Sequence, residues 1–479
     1  MLAHFIRKEI LDSLLNQRFM ALAVFSIVLM PLSAVINYEF YQERHASFDS
    51  QFAEYEQEEP SPWNLRAYRA PVLLSSLGRG TEPYMPLYYA FSDDAGATTP
   101  GNIEAQDFTA LSTFGSFDLL FLVQVVFSLL AVLLAFDMVA GEKERGTLRA
   151  VLANRVPRDT ILLGKFLGGF IVLWLIFLIG FLLLFLVLVV FDGRFAGGEM
   201  FPRVAFVFGL SSLFLAGFYS LGLMVSTFCH STRTAIVVLL VLWVVLQLVI
   251  PKAGEMTASV VRPVRSEEAV RIEKNKMIEA LNEEKDQKAG DLYLRIIGDD
   301  LAQKAFDLLK METPEALRFK SAYQEMSAEY DRKKRDRVRE IDRQYAQEKA
   351  RQHQLSRAIA LLSPAPALTF LFTDAAGTGD LAYQNYREAV MAQYQVIDRE
   401  VYGRQRTGRY RISMGGYTIS SSFGDEEEAV LENLPAFIVK EPELRAVVQA
   451  NGWALGVLLL YLLLPFLIAY VTFLRYDVR

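Results

Sequence analysis

A single cysteine, Cys229, stands among 479 residues, which excludes an intrachain disulfide and any multi-cysteine metal site. Histidine is almost as scarce. His4, His45, His230 and His353 are scattered, with no two at ligand spacing, so the sequence offers no zinc centre. No Gly-x-x-x-x-Gly-Lys-Ser/Thr run occurs, so there is no P-loop to cradle a nucleotide phosphate. The net charge is only −6, which argues against a nucleic-acid binder. No segment joins a nucleophile to a base, and no catalytic residue and no bound cofactor are assigned. Whatever energy the protein uses comes from a partner or a gradient.

What is present is apolar sequence in long runs. The chain is 52% hydrophobic yet 22% charged, a mixture that fits membrane spans alternating with soluble parts. Six runs approach the roughly 20 residues that a crossing helix needs. They lie near 19–37, 116–138, 161–191, 204–228, 234–250 and 453–474. The fifth ends at Pro251, and Pro465 is expected to kink the sixth. The fold class is therefore mainly α: a polytopic six-helix membrane protein with a mostly helical extracytoplasmic domain inserted between spans five and six.

Lys and Arg set the orientation. Arg7, Lys8 and Arg18 lie before the first span, and Lys143, Arg145, Arg149, Arg155 and Arg158 lie between the second and third. Arg233 separates the fourth and fifth, and Arg475 and Arg479 follow the sixth. With six spans these all fall on one side, which the positive-inside rule makes cytosolic, together with both termini. Segments 38–115 and 252–452 are then outside. Residues 1–18 place Leu2, Ile6, Ile10 and Leu14 on one stripe beside Phe5, Leu11 and Leu15, with Arg7, Lys8, Glu9 and Asp12 facing away. This is the pattern of a helix lying in the membrane interface against lipid. It is long for the front of a signal peptide, and no small-x-small cleavage site follows the apolar run.

The densest charge lies in the turn 139–160. Glu142, Lys143, Glu144, Arg145 and Arg149 cannot sit in hydrocarbon, so this is a surface turn, and Thr147-Leu-Arg-Ala-Val-Leu-Ala153 is helical with Thr147 as candidate N-cap. The 38–115 segment begins polar and helical, and Pro71, Gly78, Gly80, Pro83 and Pro86 then predict a compact turn-rich loop. Tyr84, Tyr88 and Tyr89 serve there as packing or as a ligand pocket. The 252–452 segment is long enough to be a domain in its own right. Ser266 starts one helix, over 266–297, and Thr313-Pro314-Glu315 starts another that has no breaker before Leu362. Tyr323, Met326, Tyr330, Val338, Ile341 and Tyr345 form a narrow seam on that second helix, which needs the first as partner. The basic run Arg332-Lys-Lys-Arg-Asp-Arg-Val-Arg339 is interleaved with acids and reads as a solvated face, not a nucleic-acid site. Asp380 is placed to cap a further helix, and residues 409–423 suggest a short hairpin around Gly415-Gly416.

Several stretches together resemble the permease subunits of ABC-2-type exporters, specifically the multicopper-enzyme-maturation-type group with a large extracytoplasmic insert. They are Phe5-Ile-Arg-Lys-Glu9, Gly141-Glu-Lys-Glu-Arg-Gly-Thr-Leu148, Val156-Pro-Arg158 to Gly164-Lys165, and Ser226-Thr-Phe-Cys-His-Ser-Thr-Arg-Thr-Ala235. In the outer parts they are Leu362-Ser-Pro-Ala-Pro366 with Ala376-Gly377, and Leu434-Pro-Ala-Phe437. The resemblance implies a type V-like half-transporter of the bacterial inner membrane. It would pair with a second copy or a related permease and bind cytosolic ATPase subunits that carry ATP and Mg. The turn residues Glu142 to Arg149, with Gly146 at a sharp corner, and the interfacial residues Phe5, Arg7, Lys8 and Glu9 would then meet the ATPase. The plainer reading is that these charges only fix topology. An alternative to export is a mechanical transmitter, in which the outer helices act on an envelope partner and nothing crosses.

The topology is open to a direct check. Single cysteines at positions 150 and 300, in a Cys229→Ser background, are expected to react with an impermeant maleimide from opposite sides of the membrane; labelling of both from one side would exclude six spans.

Overall fold

The computed structural model of the chain describes residues 2–15, 17–59, 61, 64–91, 98–101, 117–153, 157–198, 200–296, 314–402, 409–414, 417–422, 437, 439 and 441–475. Arg155, Thr313, Gly415 and Gly416, residues 434–436 and Arg479 lie outside the described residues, as does the side chain of Phe5. Among the described residues, six helices are long and apolar enough to cross a membrane: Met20–Gln57, Leu119–Glu144, Arg158–Phe191, Phe201–Phe228, Thr232–Val261 and Gly452–Leu474. The protein is a mainly α-helical, six-span membrane protein with a large, mostly helical extracytoplasmic domain between spans five and six.

Span four lies at the centre, packed against spans two and six. Small residues set the spacing, as expected where lipid gives helices no hydrophobic reason to associate. A side chain at Gly222 would fall 2.4 Å from Ala135 of span two, and one at Gly169 of span three would fall 1.8 Å from the Tyr219 hydroxyl of span four. Helix α1, Leu2–Leu15, crosses span three at Gly168, where a Cβ would meet Ile6 and Glu9.

Two spans run past their apolar sequence. The helix of span one continues from Gln17 through to Gln57, so the helical start expected of the first outer segment is one unbroken helix with the span. The apolar run ends at Asn37, but nothing between Pro31 and Pro60 breaks a helix. Nor does span five stop at Pro251; it extends to Val261. The five residues Val245–Val249 form a π-helical segment, and the helix continues through Pro251 because π-bulges are where a helix tolerates an interrupted hydrogen-bond ladder.

The remainder of the first outer segment contains a three-stranded antiparallel sheet of β1 (Arg66–Tyr68), β2 (Tyr88–Phe91) and β3 (Thr98–Gly101), in that order. Ala67 pairs with Tyr89, and Tyr89 with Pro100. Strands of three and four residues are too short to declare a period of two. Two of the three tyrosines are used in packing: Tyr88 lies on Tyr68 and Tyr89 on Tyr386, while Tyr84 is exposed.

Past span five, helix α3 (Glu267–Ile296) pairs with helix α4 (Pro314–Ala360). Ser266 caps α3 by accepting from Ala269 N at 3.1 Å. Phe319, Tyr323, Tyr330, Val338 and Ile341 of α4 are buried, and α3 contributes Val270, Ala289 and Tyr293. Lys274–Asp342 at 2.5 Å and Arg265–Glu348 at 3.1 Å flank this seam. Within the basic run, Lys333 pairs with Glu329, while Arg335 and Arg339 reach Asp398. A hairpin of β4 (Arg409–Met414) and β5 (Tyr417–Ser422) follows, with Ile412 opposite Ile419.

Between these parts lie α5 (Pro364–Ala376), α6 (Asp380–Ile397) and α7 (Leu444–Ala450). α5 departs furthest from a solvated outer domain, and Val447 of α7 joins it in the core of the spans. Leu368, Leu371, Phe372 and Ala375 belong to the same apolar core as the spans, and α5 packs on spans four and six. The cap of α6 is not Asp380. Asp374 accepts from Leu381 N at 3.0 Å, and its other oxygen accepts from Asn451 at 2.8 Å; Asn451 in turn receives Arg357 of α4.

Asp380 is instead held by His353 of α4, at 3.0 Å. That bond raises the His353 imidazole above its usual 6.5 and lowers the Asp380 carboxyl below its usual 3.8. The histidine's contribution is thus fully present below about pH 6.5 and fades as pH rises through its raised folded-state value, whereas the aspartate's is lost only in acid below its usual value. Amide exchange at the start of α6, corrected for intrinsic rates, is expected to be slower near about pH 6 than near about pH 8.5. The difference should vanish in His353→Gln.

Candidate functional site

The turn between spans two and three is built by interruption of a helix. Regular helix stops at Ala135 and resumes over Ala140–Glu144. In the gap, Ser226 of span four supplies the missing partner: its hydroxyl accepts from Val139 N and Ala140 N, both at 3.0 Å, and donates to Phe136 O at 2.8 Å. Gly146 then turns the corner at φ +72°, a left-handed backbone that a β-branched residue resists. Nothing lies within 4 Å of where its Cβ would be, so the requirement is for conformation and not for space. Helix α2, Thr147–Ala153, follows. Thr147 is its first residue and not its cap, since its hydroxyl donates back to Glu142 O at 3.3 Å.

The three consecutive charges after Gly141 each hold a different helix. Glu142, nearly buried, meets Lys165 of span three at 2.9 Å and Lys8 of α1 at 3.4 Å. Lys143 donates to the carbonyls of Thr227 and Cys229, where span four ends; a cation there also complements the helix dipole. Glu144 accepts from Thr232 N at 2.8 Å and from the Thr232 hydroxyl at 2.7 Å, capping the first turn of span five. Leu148 is buried, whereas Arg145 and Arg149 are exposed. An open depression of about 430 Å³ lies over this surface, lined by Lys143, Glu144, Arg145, Gly146, Arg149 and His230 among others.

Lys165 is the centre of the group. Lys165 is 2% exposed, and its ammonium donates to Glu9 of α1 at 3.0 Å and to Met138 O at 3.0 Å, besides pairing with Glu142. Two carboxylates therefore flank it, and the half-exposed Lys8 brings the local charge to balance. Glu9 was expected on the outward face of α1 and lies on the inward one, because Lys165 draws it there. Arg7 and Lys8 do face out, while Leu11 and Leu15 are left uncovered by protein. Lys165 was legible only as part of the Gly164-Lys165 motif. The signal for its role was a lone ammonium four residues into an apolar run, with Gly168 and Gly169 after it to let α1 and Tyr219 close in. Among the described residues, no group of three or more His, Cys, Asp or Glu side chains could hold a metal ion.

The sequence model of the ABC-2 family transporter proteins matches residues 4–478. Over 53 residues, 11% of this chain, the sequence is 51% identical to the probable ABC transporter permease protein NosY of Pseudomonas aeruginosa. The same identity and length hold for the protein of that name from Stutzerimonas stutzeri. The chain spans 19% of the length of these curated relatives.

Replacing Lys165 would strand two buried carboxylates. Lys165→Met is expected to destabilise the full-length chain in detergent by about 3–5 kcal/mol, the usual cost of removing one partner from a buried pair, with much of that loss recovered on adding Glu9→Gln and Glu142→Gln. Arg149→Ala, on the exposed side, is expected to stay within about 0.5 kcal/mol of the parent. Thermal unfolding monitored by intrinsic fluorescence distinguishes the two.

Proposed function

The chain belongs to the ABC-2 family of transporter proteins, and from that premise we propose that it is the transmembrane subunit of a type V-like, ATP-driven exporter of the insert-bearing, multicopper-enzyme-maturation-type group. It works as a dimer, with a second copy or a related permease, and ATP and Mg are bound by separate cytosolic ATPase subunits. The turn lies in the cytosol with both termini, in a bacterial inner membrane. Support for that orientation comes from Lys8, Lys143, Arg145, Arg149 and Arg158, gathered at one end of the bundle; Arg158 donates to the last carbonyl of span six, just before Arg475.

The observation that carries the proposal is the division of labour along Gly141 to Arg149. Glu142, Lys143 and Glu144 are spent on spans three, four and five and on α1. Arg145, Gly146 and Arg149 are left exposed, Arg145 with its Nε donating back to Gly141 O at 3.1 Å. Charges that served only to fix topology would have no need of four separate helices. A partner pressing on the exposed corner would move those helices as one body, which is what a power stroke requires.

A second reading keeps the ATPase and removes the cargo. It is favoured by α4, whose 47 residues reach on the order of 70 Å. The C-terminal end of α4 lies on the extension of span five, where the Gly254 Cβ position is 3.0 Å from Ser356 O. A rod seated on a span in this way could transmit the stroke to an envelope partner. Reconstituted vesicles separate the readings: ATP-dependent movement of an apolar or amphipathic cargo supports export, and hydrolysis that moves none of the candidates supports transmission.

The corner itself is tested by Gly146→Val. No neighbour obstructs the new side chain, so the subunit is expected to insert and accumulate normally while its stimulation of the ATPase falls by about fivefold or more. Gly146→Asn, which tolerates a left-handed backbone, is expected to retain most of it. Full stimulation by Gly146→Val would leave the turn with a topological role only.

A further inference from the structure

Among the described residues of the six spans, π-helical segments occur in spans two and five, at Leu122–Phe127 and Val245–Val249. Each disturbs a backbone carbonyl, and each disturbed carbonyl is met by a side chain from another element or turn. In span two, Ser128 N–H goes to Val123 O and Val125 O, so Gln124 O loses its ordinary helical donor. It accepts instead from Gln247 Nε2 of span five, at 2.6 Å, and from the Ser128 hydroxyl. In span five, Ile250 N–H goes to Val245 O, which deprives Leu246 O of its donor. The next candidate along the chain is Pro251, which has no N–H. Leu246 O accepts from the hydroxyl of Ser363, the residue that caps α5.

α5 is therefore tied to both π segments. Ser363 binds span five, and Gln124 Nε2 of span two donates to Ala365 O and to the Thr369 hydroxyl, each at 2.8 Å. The same two spans are those that the turn holds at the other end of the bundle, since span two runs into it and Glu144 caps span five. A π turn contains one residue more than an α turn, so rewinding it rotates whatever follows by about 100°. Such a rotation would carry Gln124 or Leu246 O away from α5.

We propose that the two π segments form a latch on α5 at the outer end of the bundle, with Gln124 and Gln247 as the positioning residues that close it. The proposal rests on the coupling reading above for what drives the latch, but the latch is measurable without ATPase or cargo.

Hydrogen exchange of residues 367–376 in the full-length permease alone is the test. Gln124→Met keeps length and removes the donor; it is expected to speed exchange there by about tenfold, with α3 and α4 unchanged. Thr369→Val is expected to act likewise, and Thr369→Ser, which keeps the acceptor, to restore protection. Pro251→Ala discriminates most sharply. It returns an N–H to span five and favours regular α-helix, so a purely structural role predicts equal or slower exchange, whereas a latch predicts faster exchange in α5. Unchanged protection in Gln124→Met, equal or slower exchange in Pro251→Ala, or loosening spread evenly through α4, would overturn the latch. Failure of wild-type protein to move any cargo would instead count against export and leave this measurement standing.

Discussion

Lys165 reaches from an apolar helix into a space that it shares with Glu9, Glu142 and a backbone carbonyl, and the arrangement of the whole turn end depends on that contact. A buried ammonium is costly unless it is paired and hydrogen-bonded. Its pairing partners come from two segments that would otherwise have no fixed relation, the N-terminal helix α1 and a turn about 130 residues later. Buried ion pairs are weak contributors to net stability compared with apolar packing, but they penalise every wrong alignment heavily. Here that penalty sets the register of α1 on span three and of the turn on both. Gly168 and Ser226 follow from it: the first lets α1 come close enough for Glu9 to reach, and the second repairs the helix that must break to bring Glu142 around.

The opposite end of the bundle solves a similar problem with neutral groups. Gln124, Gln247, Ser128 and Trp243 form one hydrogen-bonded set inside apolar spans, Trp243 donating to Ser128 at 2.8 Å. Polar side chains in hydrocarbon associate because each is otherwise unsatisfied. With α5 docked on them, the set fixes where the outer domain begins. Asp374 does the same at the far end of α5, collecting the start of α6, Asn451 before span six and, through Asn451, Arg357 of α4. Both ends of the bundle are thus closed by polar groups drawn from segments distant in sequence; between them apolar packing is joined by the Trp174–Ser212 bond and by Ser220 donating to Leu462 O.

How much of this could be read from the amino-acid sequence follows from what hydropathy measures. Apolar runs report the thickness of the bilayer, so six spans were legible, and so was the pairing of two long charged helices, because a thin seam on a charged rod has to be covered. Hydropathy does not report where helices end. That span one runs without a break into the helix expected after Tyr38, and span five past Pro251, was hidden, since a helix leaving the membrane keeps its backbone bonds while its composition changes. Glu142, Lys143, Glu144 and Gly146 were identifiable from charge density and a glycine at a corner. Glu9 was assigned to the wrong face because amphipathicity sorts residues by polarity, and a carboxylate called inward by an ammonium in another helix looks like any surface acid. α5 was the hardest to place: thirteen residues are too few to span and too apolar to be solvated, and its position is decided by glutamines that single-helix patterns treat as incidental.

The placement of α5 also bears on how the outer domain relates to the membrane. By length, residues 252–452 suffice for an independent domain, yet Leu368, Leu371, Phe372 and Ala375 complete the core of the spans. Gly78 and Thr81 of the first outer segment dock on the end of α5 as well: the Thr378 hydroxyl donates to Gly78 O at 2.9 Å, and Thr81 N donates to Thr378 O at 2.7 Å. α4 meets span five at Gly254, α6 carries the β1–β2 edge through Tyr386 and Tyr89, and α7 leads directly into span six. A domain joined at this many points is not a tethered module that drifts above a channel. Any displacement of the spans at their outer ends must either move it or break named hydrogen bonds, and any partner that holds the α3–α4 rod must in turn bias the spans, because a coupling free energy acts equally in both directions.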